Sequence, residues 1–307
     1  AGYIGSVTTE MLLDQGHKVV VFDNLERGHR RAVDRRALFI KGDLRKRLQV
    51  ERAIGKSRPE AVLHFAAYAL VGESMEQPAM YFRNNVEGSL NLAEAMLDAG
   101  VPRIVFSSSC ATYGQPETPA ITEDTAQRPT NPYGESKLVF EKMLGWYGRL
   151  RNLHSVVLRY FNAAGASGKY GEDHDPETHL IPNVLKAALG LRPALQVFGD
   201  DYATPDGTCI RDYIHILDLA RAHAASVTGS FTGAFNLGTG TGHSVRQVIE
   251  AARRVTGRPV PVDMRPRRPG DPARLVADYA KAKAALGWTP AHSAIDEIVE
   301  SAWKWAS

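Results

Sequence analysis

Cysteine is nearly absent from the 307 residues: only Cys110 and Cys209 occur, without paired spacing. Neither a disulfide framework nor a thiolate zinc ribbon is open to such a chain. Long apolar runs are missing too. The longest, Ala61 to Gly72, contains His64 and is too short to span a bilayer, and no leader-like stretch stands before it. Charge of one sign is also lacking, since 37 basic residues against 34 acidic ones leave +3. The pairs Arg30/Arg31 and Arg35/Arg36 and the cluster Arg265, Arg267, Arg268 are scattered, which is not the basic stripe of a nucleic-acid protein. No internal repeat or low-complexity tract occurs. The expectation is a cytoplasmic, globular, metal-free protein with neither nucleic acid nor membrane as a partner.

What is present is the pattern of a large α/β chain. Apolar residues make up 44% and charged residues 23%, ordinary values for a globular protein, and this length exceeds what one core usually organises. Strand-like runs at 18–22, 37–40, 61–65, 103–106 and 155–158 are β-branched or aromatic and apolar on both faces. Helical stretches lie between them, near 5–15, 44–56, 80–99 and 131–149. That alternation predicts a Rossmann-like doubly wound parallel sheet. After Gly165, glycine and proline become frequent (Gly168, Gly171, Pro176, Pro182, Pro193), which predicts a smaller C-terminal α/β substrate-binding domain. We therefore expect domains at 1–164 and 165–307, with parts of 209–240 returning to the first. The glycines at the start have no strand before them, so a central strand is expected upstream of Ala1.

Three motifs carry chemistry. Gly2 and Gly5, flanking Tyr3 and Ile4, have the spacing of the last two glycines in a dinucleotide-binding turn. Such a turn brings backbone N–H groups to a pyrophosphate, although the same glycines also suit a plain helix entry. Asp23 ends the next strand, 21 residues after Gly2, where a carboxylate accepts hydrogen bonds from an adenosine ribose and repels a 2′-phosphate. NAD is favoured over NADP. Asp43, after the following strand, fits the adenine edge by the same logic, or is only a turn residue. The second motif is Tyr133-Gly-Glu-Ser-Lys137 behind Asn131-Pro132, a helix entry. One turn apart, the two side chains share a face, and the ammonium is expected to lower the phenol's pKa and make it a base. The third is Ser107-Ser108-Ser109 directly after a strand, where hydroxyls face the ligand crevice of such sheets.

In this order the motifs resemble the extended short-chain dehydrogenase/reductase superfamily, and within it the UDP-galactose (UDP-glucose) 4-epimerases. The resemblance runs from Gly2 to Trp305. It includes Asp23-Asn24-Leu25, His64-Phe65-Ala66-Ala67, Val71-Gly72-Glu73-Ser74, Asn84-Asn85-Val86, Ser107–Gly114, Arg159-Tyr160-Phe161-Asn162, Asp206-Gly207-Thr208 and Arg211-Asp212-Tyr213-Ile214-His215. It implies Ser109 as catalytic serine, Tyr133 as base, and Lys137 as the group that tunes Tyr133 and holds the nicotinamide ribose. It implies an NAD site from Gly2, Tyr3, Ile4, Gly5, Asp23, Asn24, Asp43, Leu44, Phe65, Ala66, Ala67, Asn84, Ser107, Tyr133, Lys137 and Tyr160. For the UDP-hexose it implies Ser109, Tyr133, Asn162, His179, Leu180, Gln196, Phe198, Arg211, Arg268, Asp271 and Leu275. Guanidinium forks suit a diphosphate on chemical grounds alone. Many epimerases carry Gly-x-Lys where this chain has Ala67-Tyr68-Ala69, and Leu275 falls where the family varies the residue beside the sugar's 2-substituent.

The activity implied is reversible epimerisation at C4 through a 4-keto sugar, with no net redox change. A dehydratase of the superfamily would place an Asp-Glu acid/base pair where Cys110-Ala111 stands, and neither residue can protonate a leaving hydroxyl. A decarboxylase would want a glutamate in that stretch. A catalytically silent NAD-binding sensor would be expected to have lost the Tyr/Lys pair. Apolar residues around the helices near 80–99 and 133–149 (Tyr81, Phe82, Leu90, Leu97; Leu138, Phe140, Leu144, Trp146) call for burial on two sides, and a homodimer is expected.

Overall fold

From Ile104 onward the stretch Arg103–Ser109 is buried on both faces, as a strand inside a covered sheet must be. The computed structural model describes residues 1–268 and 270–307. In chain order it begins α1 (Tyr3–Asp14), β1 (Val20–Asp23), β2 (Leu38–Lys41), α2 (Arg47–Ser57), β3 (Val62–His64), α3 (Val71–Glu76) and α4 (Pro78–Tyr81). A π-helical stretch (Phe82–Glu87) leads into α5 (Gly88–Asp98), β4 (Arg103–Ser109), α6 (Pro132–Arg151), β5 (His154–Tyr160) and β6 (Asn162–Ala164). There follow α7 (Leu180–Ala188), β7 (Leu195–Phe198), β8 (Ile210–His215), α8 (Ile216–Thr228), β9 (Gly233–Leu237) and β10 (Gly242–Ser244). The chain closes with α9 (Val245–Thr256), β11 (Val262–Arg265), β12 (Arg274–Leu275), α10 (Ala280–Leu286) and α11 (Ile295–Ala306). Two compact units result: Ala1–Gly114 with Ala126–Arg159 and Ala220–Phe235, and Gln115–Thr125 with Tyr160–Leu219 and Asn236–Ser307.

The first unit is a Rossmann-like α/β layer. Its four-stranded sheet has the order β3-β4-β5-β9, with β3 and β4 parallel and Val62 opposite Ile104. β1 and β2 form a separate parallel pair. Val50 and Ile54 of α2, Leu92 and Met96 of α5, and Phe140 and Leu144 of α6 pack on Ile104, Phe106 and Val157 of the sheet. Two-sided burial holds for β4 and β5 but not for the outer pair, where Val20 is 37% and Leu38 48% exposed. The helix expected near 80–99 is interrupted at Phe82–Glu87, where the π-helical turn holds Asn85. Its side chain accepts from Tyr68 N–H at 2.9 Å and donates to Tyr68 C=O and Ser136 Oγ, both at 3.0 Å. Such turns widen a helix to re-aim single side chains.

Beneath the end of β4, Glu141 and Arg159 form a buried ion pair, the guanidinium reaching both carboxylate oxygens at 2.6–3.1 Å. Ser108 Oγ and Gln127 also donate to that carboxylate, and Arg159 donates to Tyr113 at 2.9 Å. A buried pair is tolerated only when its spare lone pairs and protons are met in this way.

In the second unit β8 pairs antiparallel with β10 and parallel with β6 and β12, while β7 and β11 form a parallel pair. Its core is built from α7, α9 and α11, with Val184, Leu185, Val248, Ile249, Ile298 and Val299. Asp212 of β8 ties three segments together, accepting from the N–H groups of Thr239, Gly240 and Ala277 at 2.8–3.1 Å. Among the described residues no helix is long and apolar enough to cross a membrane.

Candidate active site

β4 delivers Ser109 into a 3₁₀ turn, Cys110–Tyr113, which its side chain caps by accepting from Ala111 N–H at 3.1 Å. The turn closes on Gly114 at φ 67°, and a Cβ there would lie 1.9 Å from the Arg128 carbonyl oxygen. Only glycine meets both demands. α6 begins at Pro132, and the Asn131 side chain accepts from Gly134 N–H at 2.8 Å, a cap and a first-turn proline that suit a helix start. Tyr133 is thereby set in the first turn and Lys137 one turn further in, buried. Lys137 Nζ donates to the Ser107 carbonyl at 2.8 Å and stands 5.9 Å from the Tyr133 ring centroid. The Ser109 hydroxyl is near enough to the Tyr133 phenol to lower its pKa. The three residues expected to be catalytic are thus brought together on β4 and α6.

Their ionisation differs from the expectation. Burial pushes the Tyr133 phenol up to about 12, with the Ser109 hydrogen bond acting the other way. Burial likewise pushes the Lys137 ammonium down to about 7, offset in part by Glu141. The phenol is therefore raised and not lowered, contrary to the expectation from Lys137. Desolvation penalises each charged form, and in both residues it is the largest influence.

The residues expected at the cofactor lie in the first unit, apart from Tyr160. Gly2 is the N-cap of α1, in an extended conformation with no side-chain cap, and a Cβ on it would meet nothing within 4 Å. Tyr3, Ile4 and Gly5 make the first turn of that helix, and a Cβ on Gly5 would lie 3.7 Å from the Phe65 ring. An open, uncapped helix start of this kind fits a pyrophosphate. Asp23 ends β1, one carboxylate oxygen accepting from Leu25 N–H at 2.7 Å and the other 3.1 Å from the Ala1 nitrogen. Asn24 is turned to Glu26. Asp43, before Leu44 at the entry to α2, is held in an ion pair with Arg45, and that guanidinium keeps its carboxyl below the usual range. Ala66 and Ala67 follow β3, Asn84 lies in the π-helical turn and Tyr160 ends β5. Ser107 is hydrogen-bonded to His223 at 2.9 Å. In the stretch Ala67-Tyr68-Ala69, Tyr68 donates to Glu26, and Arg45 donates to Tyr68 at 3.1 Å.

The residues expected at the UDP-hexose lie in the second unit, apart from Ser109 and Tyr133. Arg211 of β8 is buried, donates to Asp271 at 2.5 Å and stands in register with Leu275 of β12. Arg268 stacks over Phe198, 4.1 Å to the ring centroid. Gln196 shares β7 with Phe198. Asn162 donates to the Asp212 carbonyl at 3.0 Å. His179 caps α7 just before Leu180, with Nδ1 2.7 Å from Glu172 and 2.8 Å from Glu177. Burial alone would push His179 down, but hydrogen bonds to the two carboxylates raise it to about 10.

His223 escaped sequence reading altogether. It comes from α8, 116 residues from Ser107, and its ring lies 4.7 Å from that of Phe65. No local pattern announces such a contact. Glu141 was equally silent, since a lone glutamate on a helix reads as a solvated one.

A profile of the family described as GDP-mannose 4,6 dehydratase matches residues 1–302. The UDP-glucose 4-epimerase of Lacticaseibacillus casei is 49% identical over 311 residues, covering 99% of this chain and 94% of that protein. A UDP-glucose 4-epimerase of Brucella ovis, solved in complex with NAD, matches with TM-score 0.95 and 50% identity over 99% of this chain and 95% of that one. The enzyme of the same name from Bifidobacterium longum, in complex with NAD+ and UDP, matches with TM-score 0.94 and 40% identity over 99% and 95%.

Replacing Lys137 by methionine tests its buried state. Its pKa falls from 10.5 when unfolded to about 7 when folded, so between those values the native state holds fewer protons and stability rises with pH. Wild type should gain on Lys137→Met by up to about 1.4 kcal/mol per pH unit. Urea unfolding at pH 7, 8 and 9 measures this, and parallel pH profiles would refute it.

Proposed function

The chain belongs to the UDP-glucose 4-epimerases of the extended short-chain dehydrogenase/reductase superfamily, NAD-dependent enzymes that interconvert UDP-galactose and UDP-glucose, and from that premise we propose how its own residues do the work. The C4 hydrogen of a hexose is not acidic, so inversion by deprotonating carbon is closed. NAD, when bound, supplies the acceptor and later the donor of that hydrogen as hydride. Tyr133 takes the 4-hydroxyl proton with Ser109 as its hydrogen-bonding partner, and returns it once the 4-keto sugar presents its other face. A phenol near 12 is a base at neutral pH only while positive charge offsets its burial, and Lys137 in its charged form contributes that. What supports this reading is the geometry of β4 and α6: the Ser107 carbonyl holds Lys137, and Ser109 meets Tyr133.

Arg211 and Arg268 hold the diphosphate, the first exchanging Asp271 for phosphate oxygens. Asn162, His179, Leu180, Gln196, Phe198 and Asp271 retain the rest of the nucleotide. Firm contacts on UDP and sparse ones on the hexose let the ketone turn without release. The NAD site comprises the open start of α1, Asp23 with Asn24, Asp43 with Leu44, Phe65 to Ala67, Asn84, Ser107 and Tyr160, with Lys137 on the nicotinamide ribose. The dehydratase named by the matching profile lacks support at the decisive place, since Cys110-Ala111 beside Ser109 provides no carboxyl acid.

The working unit is a cytoplasmic homodimer. Phe82, Leu90, Trp146 and Leu150 leave large apolar area exposed on the helices of the first unit, and a second copy of those helices covers it. Neither cysteine is in a disulfide, which suits a reducing compartment.

Tyr133→Phe should abolish turnover while NAD and UDP still bind. More than about a tenth of wild-type kcat, a barrier change of only 1.4 kcal/mol, would remove Tyr133 from the role. Analytical ultracentrifugation should find a dimer at micromolar concentration, and a monomer there would refute the assembly. Leu275 lies beside the hexose C2, so UDP-galactose should be turned over well and the N-acetylated sugar more weakly, a discrimination of about 1–3 kcal/mol for an apolar wall. Leu275→Tyr should suppress the acetylated substrate alone. Equal loss of both activities would show that Leu275 does not line the sugar pocket.

A further inference from the structure

We propose that Glu172, His174, Glu177 and His179 form a binding site for one divalent transition-metal ion, with zinc the best fit to this set of donors. One ligand atom from each residue lies within 4.8 Å of all the others. His179 Nδ1 is 2.7 Å from Glu172 and 2.8 Å from Glu177, and His174 Nδ1 is 3.3 Å from Glu172. In a tetrahedral zinc site with bonds of about 2.0–2.2 Å, neighbouring donors stand roughly 3.3–3.5 Å apart. The third distance already has that value, and the first two need to open by about 0.5–0.8 Å. Two imidazoles with two carboxylates make a four-donor set suited to zinc.

Burial adds an independent argument. The Glu172 and Glu177 side chains are only 8% and 3% exposed, and carboxylates so far from water need matched positive charge. A divalent ion balances both. Coordination through Nδ1 displaces to solvent the proton that His179 now shares between them, and leaves its Nε2 and its backbone untouched. The loop is also supported at its ends, as a ligand set must be. The Trp305 ring covers Gly171, where a Cβ would come within 2.4 Å of it, and Asn183 donates to the Glu177 carbonyl at 3.3 Å. The expectation of a metal-free protein came from the scarcity of cysteine, which bears on thiolate ligands alone. Glu-x-His-x-x-Glu-x-His is a signal that cysteine counting does not read.

The test uses the full chain, treated with chelator, desalted and equilibrated with zinc alone. Elemental analysis after gel filtration should find one zinc per chain, with a higher thermal midpoint than in chelator. His174→Ala and Glu172→Gln should each weaken binding at least tenfold, and neither residue belongs to the proposed catalytic or nucleotide-binding set. Cobalt added to the wild type provides a readout that needs no variant: intense visible d–d bands of a four-coordinate nitrogen–oxygen site are expected. Substoichiometric zinc, equal zinc in wild type and variants, or only the weak bands of hydrated cobalt would each overturn the proposal. Metal content is read independently of turnover, so failure here leaves the epimerase reading standing, and failure there leaves this one.

Discussion

A buried ammonium held on a backbone carbonyl organises the chemistry of this protein. Lys137 donates to Ser107 at the last turn of a strand whose neighbours are almost wholly inaccessible. That one contact sets the axial position of α6 against β4. Since Tyr133 and Ser109 sit at the ends of the same two elements, it also sets the base against the hydroxyl. The surroundings are built to hold it. Phe106 and Phe140 meet edge to face at 4.8 Å beside the lysine, and the Glu141–Arg159 pair fills the polar space one turn deeper. The same burial makes the site reluctant to ionise, with the phenol raised and the lysine lowered.

The parts legible in the sequence are those whose cause is local. β4 reads as a covered strand because its β-branched and aromatic residues leave no polar face. α6 reads as a helix from Asn131-Pro132 onward, and the four-residue spacing puts Tyr133 and Lys137 on one side. The start of α1 is announced by its glycines. Features that depend on what the fold brings near were hidden. His223 reaches Ser107 from more than a hundred residues away, Glu141 is paired only because β5 places Arg159 beside it, and the π-helical turn at Asn85 answers a backbone segment after β3. The direction of the Tyr133 shift is hidden from the sequence for the same reason. Charge proximity is readable from spacing, whereas desolvation is a property of the packed structure.

The second unit follows another logic. Its strands are short and mixed in direction, and the side chain of Asp212 ties β8 to the segments at Thr239–Gly240 and Ala277. Arg211 with Asp271, and Arg268 with Phe198, sit paired on such strands and their loops. Cations held by modest internal pairs are suited to exchange them for a diphosphate.

The central claim is that the C4 hydrogen leaves and returns as hydride within one enzyme-bound cycle, while Tyr133 handles only the hydroxyl proton. UDP-galactose carrying deuterium at C4, converted in ordinary water and analysed as UDP-glucose by mass spectrometry and NMR, tests it most directly. The account predicts that the deuterium is retained at C4 of the product, with none introduced there when unlabelled substrate is converted in D2O. Loss of the label to solvent at C4 would contradict it.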